Sequence, residues 1–524
     1  MEVVIDPVTR LEGHHGVRLN VEGGVVREAK ALATMFRGFE RIVVGRDIRD
    51  APIILQRICG VCHNDHRLAS LFAIENAAGL GNEWGHGIPE AALLMRNVIA
   101  SLQFVFDHPV WAYALTGPDF CDQIHRTGLK RFDPLVGQGV KEAVFAQRRL
   151  HQAMAYIGGK VPHIMTPVPG GVTLEIDEKV ISRLISIVLD VKKWAIGVGL
   201  SKGTLEHTAD VAGYIIDDVS RKLEEGKEIA PPSDPEIGRG LYDLVSLIVV
   251  MARMGLADMG ERTATMLAYG FLSDANGELF FPSGFFNGSD LEKFDYRKIG
   301  EDVTHSYYSD DAGGEYVGNE DTRKLVPKYG KSGAYTWAKA PRYDGKPAEV
   351  GPLARMVAKG FRDGWEYGDP LDLRKSLAGG RTASNALARN IARIQEELLT
   401  IDYLESLLLQ LKEYAGRKTY IEFPDNVTGE GVGLREAPRG ALGHWMRASA
   451  GRVENYQVIA PTTWNVSPRD SKGNPGPLEE ALVGTPMENG DQWNVVRVIH
   501  SFDLCLACTV HVFTKDGKRW EFLT

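Results

Sequence analysis

Two cysteine pairs sit at opposite ends of this chain. Cys59 and Cys62 lie in RICGVCHNDHRLAS, and Cys505 and Cys508 lie in FDLCLACTVH. One other cysteine, Cys121, falls between them, and the 524 residues contain five in all. Five thiols do not make a disulfide scaffold for a chain of this length. C-x-x-C pairs outside such scaffolds more often bind metal or carry redox chemistry. If both pairs serve one site, the first and last parts of the chain must pack side by side, which argues against independent domains in a row. A zinc knuckle separates its two ligand pairs by about 12 to 20 residues; here nearly the whole chain intervenes, so a shared site would staple the entire fold. By residue type alone, a structural zinc site of four cysteines and a redox site for nickel, copper(I) or iron–sulfur chemistry stand level. Cys121, in PDFCDQ, reads as a small buried thiol.

Hydrophobic residues make up 44% and charged residues 25%, which excludes disordered and collagen-like classes. A net charge of −9 offers no electrostatic footprint for nucleic acid. No stretch of about 18 uncharged apolar residues predicts a membrane span. The opening MEVVIDPVTRLEGHHG lacks the basic-then-apolar pattern of a signal peptide. The expected location is cytoplasmic, or membrane-associated through a partner.

Residues 1–35 read as strands, with a hairpin turn at Gly23-Gly24. Helical periodicity dominates residues 50–270 and returns over 380–415; Cys59 and Cys62 are expected at the start of a helix. Residues 273–370 are irregular and rich in Gly, Tyr and Pro, as in an excursion over the surface of a helical core. KTYIEF and GRVENYQVIA read as strands, and a last helix is expected from Asp491 to His500. The predicted fold class is α+β and predominantly helical: a central helix bundle with peripheral antiparallel strands at the N-terminus and near the C-terminus. No linker divides the chain, so residues 1–524 are expected to form a single unit with a C-terminal lobe over 416–511.

Several motifs recur in one order from Asp6 to His511: DPVTRLEGHHG, MFRGFE, QRICGVCHNDHRLAS, HSYY, KAPRYDGKP, GRTAS, EAPRGALGHW, GTP and HSFDLCLACTVHV. Together they resemble the large, catalytic subunit of nickel–iron hydrogenases. The resemblance implies heterolytic, reversible cleavage of dihydrogen, with nickel held by Cys59, Cys62, Cys505 and Cys508. Iron would share Cys62 and Cys508 and carry one carbon monoxide and two cyanides. It makes Glu12 the first proton acceptor, a role for which desolvation suits a carboxylate. Arg439 would stand over the open site, held by Asp107 and Asp503, with Pro438 completing the canopy. Thr462, Arg439 and the backbone near Pro438 match the groups that meet the cyanides. His66, one helical turn beyond Cys62, matches a histidine that bonds a bridging sulfur. Glu40, the carbonyl of Val458 and His511 match a hard-ion site, usually magnesium. Read singly, Glu12, Asp107 and Asp503 would pass for surface or helix-capping carboxylates, and His66 for a packed histidine.

Leu504 stands where the family usually has proline before the second pair. Residues 512–524 form a tail of a kind that a maturation endopeptidase removes after nickel insertion; nickel-insertion factors are expected too. VFTKDGKRWEFL also has the pattern of a hairpin around Asp516-Gly517. The tail favours an enzyme over a dihydrogen-sensing member, and Leu504 suggests an uptake subgroup. The nickel thiolates exclude the related quinone-reducing subunit of respiratory NADH dehydrogenase, and a zinc-stapled structural protein is the remaining alternative. With four cysteines on nickel, Cys121 alone cannot hold an iron–sulfur cluster, which normally takes four. A second subunit carrying the electron relay is therefore required, and the resemblance implies that it is an obligate iron–sulfur small subunit, with a higher oligomer of the pair beyond it.

Overall fold

A computed structural model describes residues 1–197, 205–274, 276–365, 368–369, 371–487 and 490–509; of 205–208, 508 and 509 it describes only the backbone. Its centre is helical. Besides several short helices, the chain forms α1 (His63–Ala77), α2 (Glu90–Val110), α3 (Gln138–Gly158), α4 (Glu178–Ile196), α5 (Leu205–Glu224), α6 (Arg239–Arg253), α7 (Pro352–Asp363), α8 (Ala386–Lys412), α9 (Trp493–Ser501) and the single turn α10 (Leu506–Thr509). α1, α2 and the first half of α8 are buried all round, as a helix must be when other elements enclose it. α4 instead buries one stripe, Ile181, Leu184, Val188, Val191 and Ala195, at three- and four-residue spacing. α8 packs on α2, α4 and α7. One apolar core runs from Ile5 to Leu506, so the two chain ends share it. No helix among the described residues is long and apolar enough to cross a membrane.

The N-terminal strands β1 (Glu2–Ile5), β2 (His15–Glu22) and β3 (Val25–Ala33) form an antiparallel sheet. Gly23 and Gly24 turn between β2 and β3 at φ of 60° and 74°, a conformation that side chains resist. A second sheet, β4 (Gly429–Ala437), β5 (Gly440–Ser449) and β6 (Arg452–Ile459), is the larger surprise. It is not peripheral, as expected, because β4 lies directly against α1. A Cβ on Gly433 would sit 1.9 Å from the Ala69 carbonyl oxygen, and one on Gly431 would sit 2.0 Å from that of Ala73. Gly429 faces Ala77 in the same way. Two strand residues advance about 6.7 Å and four helix residues about 6.0 Å, so glycines at every second strand position mesh with alanines at every fourth helix position. The next rung is polar: Arg435 Nη2 meets Asp65 Oδ1 at 2.6 Å. The ladder then delivers the β4–β5 turn, Pro438-Arg439, to the N-terminal end of α1.

Other expectations need correction. KTYIEF makes only one isolated bridge, at Tyr420, because the chain there pairs for a single residue with Gly171. The region 273–370 does not simply cross the surface. It ends in α7 and stacks Trp337 on Phe36 at 5.6 Å, and Trp337 N–H donates to the Ala33 carbonyl. It also carries buried charge, described below. The hairpin pattern in 512–524 lies outside the described residues.

Candidate metal centre

Cys59 follows a short 3-10 turn in extended conformation, and Cys62 caps the N-terminus of α1. The amides of Val61 and Cys62 both point at Cys59 Sγ from 3.3 Å, and a helix N-terminus favours negative charge. Cys505 arrives from the other end of the chain to 3.4 Å between its Sγ and that of Cys59. The sulfurs of Cys59, Cys62 and Cys505 all lie within 4.8 Å of one another, and all three residues are buried. A disulfide is about 2.05 Å long, whereas thiolates sharing one ion at ~2.3 Å stand roughly 3.3–3.8 Å apart. The donor set therefore fits a soft transition metal. Cys508 belongs to α10, on the same turn as Cys505's neighbours; its side chain and all of His511 lie outside the described residues.

The N-terminal segment clamps this approach. Leu506 N–H donates to the Glu12 carbonyl at 2.6 Å, and Ala507 N–H donates to Glu12 Oε2 at 3.2 Å. Gly13 has φ 82°, and a Cβ there would fall 2.5 Å from the Ala507 nitrogen, so RLEG needs its glycine. Arg37, from MFRGFE, donates to the carbonyls of both Ile58 and Ala507, tying the two thiol segments together. Thr462 Oγ accepts the Cys505 N–H at 2.8 Å. Leu504 is buried, filling core space where a proline would have stiffened the backbone.

Cys505 Sγ donates to Glu12 Oε2 at 3.4 Å. Burial raises the pKa of this carboxyl, with the nearby Cys59 charge adding and the Cys505 contact and Arg439 opposing. Glu12 thus sits beside a thiol with its proton affinity raised toward that of a working base.

Arg439 projects from the two-residue β4–β5 turn, donating from Nη1 to Asp107 Oδ2 at 2.9 Å and from Nη2 to Asp503 Oδ1 at 3.2 Å. All three are buried. Burial pushes Asp107 up to about 7 against the pull of Arg439, while the two aspartates hold the guanidinium protonated. Asp107 precedes Pro109, and the helix loosens into a π-helix over Trp111–Thr116, a distortion frequent at functional sites.

Sequence reasoning missed the support behind this arginine. Arg355, on α7, donates Nε and Nη2 to Glu396 at 2.5 and 2.7 Å and Nη1 to Glu436 at 2.6 Å. It also bonds the carbonyls of Ala437, the last residue of β4, and Pro438, the first residue of the turn. Glu396 in turn meets His108, the neighbour of Asp107, at 2.9 Å. GPLAR and the α8 glutamates resemble ordinary helix-surface charge in sequence; only their complete burial marks them.

His66 is buried, one turn beyond Cys62; its Nδ1 lies 3.2 Å from His444 Nε2, and its own Nε2 has no hydrogen-bond partner among the described residues. Glu40 Oε1 accepts the Val458 N–H at 3.1 Å, bringing two expected hard-ion ligands together. Around them lies a cluster absent from the sequence reading: Lys339 Nζ bonds Glu301 at 2.6 Å and Glu320 at 2.8 Å. Burial pushes Glu40 up to about 7 and Glu320 well above its ordinary value, against Lys339. Three carboxylates share one lysine, and Glu320 Oε1 is buried without a partner among the described residues, a donor set that fits an added hard cation.

Comparison with known proteins agrees with this geometry. A profile described as nickel-dependent hydrogenase matches residues 37–131 and 241–511, and one described as HoxL-like matches 2–34. The chain is 32% identical to the periplasmic [NiFeSe] hydrogenase large subunit of Desulfomicrobium baculatum, over 98% of this chain and 95% of that one. It is 30% identical to the hydrogenase-2 large chain of Escherichia coli K12, over 99% and 98% of the two chains. It is also 30% identical to the uptake hydrogenase large subunit of Rhizobium leguminosarum, over 99% and 96%. The as-isolated oxidised Ni-Fe-Se hydrogenase of D. vulgaris Hildenborough superposes with a TM-score of 0.79 at 28% identity, covering 98% of this chain and 100% of that chain.

Proposed function

Because the chain belongs to the nickel-dependent hydrogenase family and is a hydrogenase large subunit, we propose that it oxidises dihydrogen in the uptake direction and passes the electrons to an iron–sulfur small subunit. Cys59, Cys62, Cys505 and Cys508 would hold nickel, and Cys62 and Cys508 would also hold iron; the resemblance adds one carbon monoxide and two cyanides on that iron. When bound, the pair supplies the Lewis acidity and electron sink for heterolytic cleavage to two protons and two electrons. The observation that carries the reading is the meeting of three buried thiols from opposite chain ends, with a carboxyl on one of them.

The protein's own groups move and hold the proton. Glu12 Oε2 takes it from Cys505 Sγ, over the 3.4 Å contact already present. Arg439 cannot serve as a base because it stays charged; it orients dihydrogen and sets a fixed positive field over the thiols. Asp107 and Asp503 hold that field in place. Thr462, Arg439 and the Pro438 backbone would meet the cyanides, and His66 Nε2 would bond a cysteine sulfur of the centre. Glu40, the Val458 carbonyl and His511 would hold magnesium. Cys121 is buried inside the helical core and cannot by itself hold a cluster, so the electron relay falls to the partner subunit.

The test is dihydrogen-dependent dye reduction by the purified complex, with nickel and iron quantified and infrared bands for carbonyl and cyanide recorded. Nickel, iron, those bands and loss of turnover in Cys508→Ser are expected. Zinc at one per chain without nickel, or full activity of Cys508→Ser, would overturn the assignment.

A further inference from the structure

His66 is the inner end of a buried chain of four polar groups. Its Nδ1 is 3.2 Å from His444 Nε2, and His444 Nδ1 is 2.9 Å from the Tyr456 hydroxyl. That hydroxyl is also 2.9 Å from Ser70 Oγ. All four residues are fully buried: Ser70 lies one turn beyond His66 on α1, His444 on β5 and Tyr456 on β6. Both rings are fully buried and face each other across one hydrogen bond, which favours neutral imidazoles.

A neutral imidazole has one N–H and one lone pair, so the chain has two self-consistent polarities. If Tyr456 donates to Ser70, His444 donates to Tyr456, His66 donates to His444, and His66 Nε2 is left as a bare lone pair. If Tyr456 donates to His444 Nδ1, His444 Nε2–H donates to His66 Nδ1, and His66 presents an Nε2–H. Nε2 has no partner among the described residues, and Cys62 lies one turn earlier at the head of the same helix. Anionic sulfur repels a lone pair and attracts an N–H.

We propose that the Tyr456 hydroxyl and His444 act as positioning residues that lock His66 in the tautomer whose Nε2–H points at the nickel–iron thiolates. This rests on the nickel–iron reading above. The donated hydrogen bond withdraws electron density from sulfur and, through it, from the iron; Tyr456 selects the donor form without touching either metal.

The test is Tyr456→Phe in the assembled complex, which removes the phenolic hydrogen and keeps the ring. Nickel and iron at wild-type levels are expected, with the iron carbonyl band shifted to lower wavenumber and turnover reduced on the order of tenfold. His444→Gln is expected to shift the band in the same direction, and Ser70→Ala to leave it in place, because the phenol can still donate to His444. An unshifted band in a fully loaded Tyr456→Phe complex would overturn the proposal, as would activity lost only in proportion to metal lost. A wild-type complex without nickel would sink the earlier reading and this one together; a loaded wild type with an indifferent variant sinks this one alone.

Discussion

The thiol cluster and the lysine–carboxylate cluster around Glu40 are both buried and both suited to a metal, yet they are built on opposite principles. The first gathers three sulfurs beneath Arg439, a cation that spends its bonds on Asp107 and Asp503. The second already contains its own cation, Lys339, bonded to two of its three carboxylates. Buried charge needs a partner, and the two sites find it differently: one requires a guest, the other is largely self-neutralised. On the proposed function, the thiol centre is then the site of reaction and the lysine cluster chiefly a structural anchor.

The sharpest way to break that contrast is to remove one group from each. Cys505→Ser is expected to lose nickel and at least about 10³-fold in dihydrogen oxidation, or roughly 4 kcal/mol. Lys339→Met is expected to keep nickel but lose about 3–5 kcal/mol of stability, read as a fall in the thermal midpoint, because it strands Glu301 and Glu320. Loss of nickel from the lysine variant would erase the distinction.

Glu479 sharpens it from the other side. It is buried and takes its hydrogen bonds from neutral donors, the Ala31 N–H at 3.1 Å and the Tyr335 hydroxyl at 2.7 Å. Burial pushes it up to about 7 from an ordinary 4.5, with those hydrogen bonds opposing. The folded state then binds more protons than the unfolded chain between those values. Stability should fall as pH rises from 4.5 to 7, by about 3 kcal/mol. Glu479→Gln should flatten that slope in chemical denaturation measured across the window; an unchanged slope would show that Glu479 is not its source.

Smaller effects probe the reactive side. Glu12→Gln should slow turnover about 10²-fold with nickel and iron retained, and unchanged rates would remove it from the proton path. Arg355→Lys keeps the charge but cannot reach Glu396, Glu436 and two carbonyls at once. It should cost about tenfold in turnover, and less when Arg439 is already lysine, because both changes act through the same turn. Equal losses in both backgrounds would show that Arg355 does not act through Arg439.

What could be read from the sequence follows the same divide. Cysteine is scarce, so two pairs at the chain ends stand out, and Cys62 at the head of a helix follows from the periodicity of HNDHRLASLFAIENA. Glu12, Arg439, Asp107 and Asp503 were legible only through motifs, and the structure brings the last three into one ion-paired group. Arg355, Glu396, Glu301 and Glu320 were not legible, because Arg and Glu are ordinary surface residues until burial is known. The β4 strand was missed for a different reason. GEGVG has low strand propensity, and its glycines make sense only beside the alanines of α1, whose contact spans more than 350 residues of sequence. KTYIEF failed the other way: its pattern suits a strand, but it forms one bridge, Tyr420 with Gly171, with hydrogen bonds to Val172 and Gly170 on either side, and no longer ladder.

The meshing of Gly429, Gly431 and Gly433 with Ala77, Ala73 and Ala69 works as a rack and pinion. Arg439 is a fixed number of backbone steps from the last tooth, so its height above the thiols is set by counting residues rather than by choosing side chains. Deleting one residue between Gly433 and Arg439 would shorten the reach by about 3.4 Å and turn the intervening side chains to the wrong face. Substitution can tune this enzyme, but a change of length in that short stretch would dismantle it.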